Sequence, residues 1–158
     1  MQTEIARLVA HLCRIESGTR PGISKAELSS CEARTGVRLP AALADFYRAT
    51  DGAFSNDPLL DIWPLNQVGR VPERVATFRG IPDFGPIVES LPDANQYFAF
   101  ADSMAWSHVY ATRLHASGED APVLWICGAE FVELAPSVGA LWAMLLRDPE
   151  AVVLGQPA

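Results

Sequence analysis

The order of hydrophobic patterns along this chain predicts an α+β fold, a single domain whose mixed or mostly antiparallel sheet is packed by N-terminal helices and a C-terminal helix. Three observations carry that prediction. Helical periodicity with clear start and stop signals fills the first 52 residues; three strand candidates follow one another between Tyr97 and Cys127; a Ser-capped apolar helix closes the pattern from Ser137. A chain of 158 residues that is 49% hydrophobic is long enough for one sizeable core and short for two.

The first helix is predicted over residues 2 to 16, with Ile5, Leu8, Val9 and Leu12 as its apolar stripe and Glu4, Arg7, His11 and Arg14 on the wet face. A loop through Gly18, Pro21 and Gly22 leads to the second helix. There Ser24 and Glu27 form a capping box, Ile23 and Leu28 occupy staple positions, and Gly36 suits the left-handed position past the end. Pro40 opens a third helix, because a first-turn residue needs no N–H, and Leu43, Phe46 and Tyr47 share its apolar face. Asp51 to Asp57 reads as a turn carrying Phe54, and Leu60 to Trp63 as a short strand.

Half of the twelve prolines lie between residues 58 and 92, so long regular elements are not expected there. Pro72 to Phe78 supplies one or two helical turns, and Gly80 to Gln96 a surface loop anchored by Ile81, Phe84, Ile87 and Leu91. Tyr97 to Ala101, His108 to Leu114 and Pro122 to Cys127 are strands of an antiparallel meander. Val123 and Trp125 face one side and Leu124 and Ile126 the other, which predicts a strand covered on both sides. Val138, Leu141, Trp142 and Leu145 then form the stripe of the last helix, ended by Asp148-Pro149. Residues 1–150 are the expected domain and 151–158 a C-terminal tail.

The net charge of -7 is unevenly spread. Residues 1 to 50 hold seven Lys or Arg against five Asp or Glu, and the rest hold five against fourteen. An acidic C-terminal two-thirds argues against nucleic acid as a partner and favours a basic protein. The longest uninterrupted apolar stretch, Ala140 to Leu146, is far short of the roughly 20 residues of a membrane span, and charges interrupt the N-terminus, so a cytoplasmic location without membrane attachment is expected. Cys13, Cys31 and Cys127 have neither disulfide nor zinc spacing and read as small buried hydrophobes.

Signatures of common catalytic and phosphate-binding sites are missing: no Gly-x-x-x-x-Gly-Lys-Ser/Thr, Gly-x-Gly-x-x-Gly, Gly-x-Ser-x-Gly or His-Glu-x-x-His occurs. No cofactor or metal is expected. The best residual acid–base pair joins His108 or His115 to Asp102 or Asp61, although a separation of seven puts the two histidines on opposite faces of one strand. Asp57 and Asp61 form a possible carboxylate pair, with Pro58 between them favouring a plain turn. Trp106, in the turn between two strands, is either an interface anchor or a lid folded over the sheet edge, and Phe54 poses the same choice.

Gly36-Val37, Leu39-Pro40, Phe46-Tyr47 and Asp51-Gly52 at the central helix are joined by Leu60 to Leu65, Tyr97 to Asp102, Val109 to Arg113 and Ala135-Pro136-Ser137-Val138 with Leu141-Trp142. In this order the motifs, over residues 24 to 146, resemble the SUKH superfamily, which includes bacterial toxin-immunity proteins and a fungal regulator of cell-wall assembly. One departure stands out, because the family's glycine-rich acidic turn after the second strand is here Ser103 to Ser107, without glycine. The resemblance implies a non-catalytic protein-binding module, an immunity protein that neutralises a cognate toxin, often a basic nuclease. Phe54, Asp57 and Asp61, then Asp83, Asp102 and Trp106, are the expected partner-binding residues of a monomer or weak homodimer. The alternatives are an intracellular regulatory scaffold of the same fold and a hydrolase using His108 and Asp102.

Overall fold

The structure, a computed structural model, describes residues 2–12, 20–56 and 59–157. Three helices come first: α1 (Gln2–Leu12), α2 (Lys25–Thr35) and α3 (Ala41–Ala49). Strands β1 (Ala53–Asn56), β2 (Leu59–Ile62) and β3 (Gly69–Arg70) precede the short helices α4 (Val71–Val75) and α5 (Ile87–Ser90). The long strands β4 (Tyr97–Ser103), β5 (His108–Arg113), β6 (Val123–Cys127) and β7 (Glu130–Ala135) lead to α6 (Val138–Arg147) and α7 (Pro149–Val153).

All strands join one antiparallel sheet in the order β1-β2-β4-β5-β6-β7, with β3 alongside β4. Alternation of side chains along the strands gives the sheet two apolar faces, and both are covered. Leu8 and Leu12 of α1, Leu43, Phe46 and Tyr47 of α3, and Leu141, Trp142 and Leu145 of α6 pack on one face with Phe100, Tyr110 and Val123. Val71, Val75, Phe84, Ile87 and Leu91 cover the other, with Trp63, Val109, Leu124 and Ile126. The chain is thus an α+β single domain, with Val123 and Leu124 in separate cores as the alternation predicts.

Local signals account for the helix ends. Ser24 Oγ accepts from Glu27 N while the Glu27 carboxylate accepts from Ser24 N, and Gly36 ends α2 in the left-handed conformation (φ 72). Ser137 caps α6 by accepting from Ala140 N. Pro40 stands one position earlier than expected, at the N-cap of α3.

Several expectations require correction. Asp51 to Asp57 is not simply a turn, because Ala53–Asn56 is strand β1, and residue 57 lies outside the described residues. Gly80 to Gln96 contains α5 and a 3-10 turn at Ala94–Gln96, and of its four expected anchors Ile81 is 99% exposed. Strand β7 was not legible as a strand. Cys31 and Cys127 are only half-buried and, among the described residues, free, while Cys13 lies outside the described residues. The predicted first helix is described only through Leu12. Beyond Asp148, α7 adds Val152 to the first core.

Candidate functional site

Strand register brings together residues that lie far apart in the chain. Phe54 pairs with Asp61, Asp61 with Asp102, Asp102 with Val109, Val109 with Ile126 and Ile126 with Phe131, so one row crosses the sheet from β1 to β7. Directly paired residues point to the same face. Helices α4 and α5 bury the Val109 and Ile126 part of that row, whereas Phe54 remains 39% exposed at the uncovered β1 end. Phe54, Asp61 and Asp102 are therefore consecutive on one face. Asp57 belongs to the residues outside the description.

The two aspartates of the row differ in environment. Asp102 is 3% exposed, and its carboxylate accepts from Trp63 Nε1 at 2.6 Å and from Trp106 N at 3.0 Å. Burial raises its pKa, and those two hydrogen bonds work in the opposite direction. Asp61 is half-buried, and burial followed by the neighbouring Asp102 charge pushes its carboxyl up to about 6, with Arg20 offsetting part of the effect. Asp61 lines an open groove of about 370 Å³ with Arg20, Asp51, Phe54, Pro64 and Gln67. Asp102 thus acts inside the protein, through Trp63 and Trp106, and Asp61 is the member of the pair that reaches the surface.

The turn after Asp102 has an unusual backbone. Met104 (φ 53), Ala105 (φ 51) and Trp106 (φ 67) are three consecutive non-glycine residues in the left-handed region. Each such residue costs roughly 1–2 kcal/mol, so the turn persists only because its surroundings fix it. Met104 N donates to Leu59 O, Ser107 Oγ to Met104 O, and Trp106 N to Asp102. The result is display of apolar surface: Met104 is 48% and Trp106 57% exposed.

Trp106 is packed on one side and open to solvent on the other. One face of its ring stacks on Phe78 at 5.9 Å, and Phe78 meets Trp63 at 6.3 Å and Phe84 at 5.6 Å, both edge-on. Arg74 lies over the Trp63 ring at 4.9 Å, with its Nε buried and without a hydrogen-bond partner among the described residues. Aromatic side chains held in this way lose little further entropy on docking. Asp83 precedes buried Phe84, is itself exposed, and accepts from Gly85 N. It therefore stands at the far end of the aromatic chain, apart from Asp61.

His108 and Asp102 do not form the acid–base pair considered from sequence. His108 pairs across the hairpin with Ser103, so it projects from the face opposite to Asp102. Its Nδ1 lies 3.2 Å from Ser103 Oγ, its ring stacks on Trp125 at 4.5 Å, and burial lowers its pKa. Among the described residues no group of three or more His, Cys, Asp or Glu could hold a metal ion, and no helix is long and apolar enough to cross a membrane. Sequence reasoning missed Phe78, Arg20 and Asp51; only the proximity created by β1 and the 71–96 segment identifies them.

Comparison with known families places these features in context. The SMI1 / KNR4 family (SUKH-1) matches residues 22–143, well over half of the chain. That span contains the central helix, the whole sheet and most of α6. No curated protein matches the chain.

Proposed function

The chain belongs to the SMI1 / KNR4 family (SUKH-1), and from that premise we propose that it is an immunity protein that binds a cognate toxin and occludes it. The observation that carries this reading is the strained turn holding Met104 and Trp106 outward beside the half-buried Asp61. Strain in a turn that displays an aromatic side chain is a recurring property of binding sites, and Trp and Met are enriched as interface anchors. Phe54 and Asp61 extend the same surface across β1 and β2. Asp83 adds charge at its other end, and Asp102 fixes the turn from inside. The acidic balance of residues 51–158 would attract a basic partner such as a nuclease domain and speed the encounter. A cytoplasmic site of action and a monomer or weak homodimer complete the proposal.

The test is protection and affinity with toxin domains encoded beside this chain in its native genome. Wild type is expected to restore growth of cells that express the cognate toxin and to bind it with salt-sensitive affinity. Trp106→Ala is expected to weaken binding by roughly 30-fold or more, the size of a hot-spot loss, while leaving the fold intact. Protection unaffected by Trp106→Ala together with Asp61→Arg would overturn the assignment of this surface. Absence of protection, with binding to a protein of the same cell, would assign the chain to regulation.

A further inference from the structure

The opposite edge of the sheet carries a second feature. Among the described residues strand β7 pairs only with β6, so half of its backbone N–H and C=O groups face away from any described strand. Residues 130 to 133 are all exposed, with Phe131 at 37% and Val132 at 38%. An open edge pairs with other chains unless it is protected by proline, by a covering element or by charge. Residues 130–133 hold no proline and are exposed, so their only such protection among the described residues is the charge of Glu130 and Glu133.

Alternation places Glu130 with Val132 on one face and Phe131 with Glu133 on the other. Each face therefore offers an incoming strand one apolar side chain and one carboxylate. Among the described residues neither Glu130 nor Glu133 has a salt-bridge partner. Pairing with a second copy is opposed by charge, since an antiparallel β7 pair centred on Val132 would set the two Glu133 carboxylates diagonally across from each other, in chains of net charge -7. A segment with lysine or arginine beside its apolar residues meets no such opposition.

We propose that the outer edge of β7 accepts an extended, lysine- or arginine-bearing segment of the protein partner as an added antiparallel strand. Backbone hydrogen bonds would supply affinity, and Glu130 and Glu133 would select against acidic segments. The inference rests on the partner-binding reading, but it uses neither Trp106 nor Asp61, so the two surfaces can fail independently.

The experiment titrates full-length protein with the blocked peptide Thr-Thr-Lys-Val-Val-Lys-Thr-Thr and with its Glu-for-Lys counterpart, following amide hydrogen exchange residue by residue. The lysine peptide is expected to slow exchange at alternate amides between 130 and 134, and to bind roughly 4- to 25-fold more tightly than the glutamate peptide, two- to five-fold for each exposed carboxylate. The double substitution Glu130→Lys with Glu133→Lys should invert that preference. Equal binding of the two peptides, slowing confined to other strands, or an unaltered preference in the double variant would overturn the proposal. Concentration-dependent slowing of β7 amides without peptide would overturn it in favour of self-pairing.

Discussion

The indole N–H of Trp63 donates to the carboxylate of Asp102 at 2.6 Å, and the other oxygen of that carboxylate accepts from Trp106 N. One buried side chain therefore joins the sheet, the aromatic cluster and the strained turn. Asp102→Ala leaves a buried indole N–H without a partner and releases Trp106, which is expected to cost about 2–4 kcal/mol in urea unfolding. Trp63→Phe removes the donor instead. A cycle with both substitutions should show coupling of about 1–3 kcal/mol, and strict additivity would mean that the two residues act separately.

Ala105 sits at φ 51 in the middle of the 104–107 turn, exposed and without a glycine's freedom. Ala105→Gly should relieve left-handed strain and raise stability by roughly 0.5–1 kcal/mol, read as a higher urea midpoint at constant slope. Affinity for the partner should fall at the same time, because the relaxed turn no longer fixes Trp106. A destabilised variant would show that the backbone of this turn is not under strain.

Most helices were legible in the sequence because their signals are local: Ser24 with Glu27, Gly36 and Ser137 each act within one turn of chain. The β4 to β6 meander was legible because its strands are long and rich in aromatic or β-branched residues. Strand β7 was not, since Glu-Phe-Val-Glu on a sheet edge is exposed on both faces and shows no alternation. Strand β1 was hidden by its length and its polar neighbours. That concealment extended to the candidate site, where the Phe54-Asp61-Asp102 row exists only through the β1–β2 and β2–β4 registers. Asp102 itself was singled out from sequence, but its burial follows from the 71–96 segment that its prolines made hard to read.

Asp61 provides a pH-dependent test. Its folded pKa of about 6 lies above the ordinary aspartate value, so the folded state holds this proton more tightly than the unfolded chain. The associated stability is fully present only below the ordinary value of 3.8, and it is lost as the pH rises from there through about 6. Asp61→Asn removes the loss and should make the protein about 1 kcal/mol more stable than wild type at pH 7, a figure discounted for the half-exposed position of the side chain. The gap should close only below the unfolded value of 3.8. Urea midpoints measured from about pH 3 to about pH 7.5 would show this, and a constant gap would mean that burial and Asp102 do not raise this carboxyl.

The final turn of the chain is held by two aromatic side chains. Tyr110 OH donates to Val152 O and Trp125 Nε1 to Val153 O, each at 3.2 Å, and Gly155 (φ 66) lies flat against the Trp125 ring. A Cβ added at Gly155 would stand 2.6 Å from Trp125 Cδ2, closer than real contacts allow. Gly36 is the matching control, with φ 72 and, among the described residues, nothing within 4 Å of an added Cβ. Gly36→Ala should therefore cost only the left-handed penalty of about 1 kcal/mol. Gly155→Ala carries that penalty plus overpacking against the ring, about 2–4 kcal/mol together, and should shift tryptophan fluorescence as α7 moves from Trp125. Equal costs for the two variants would show that the C-terminal turn is not clamped on that ring.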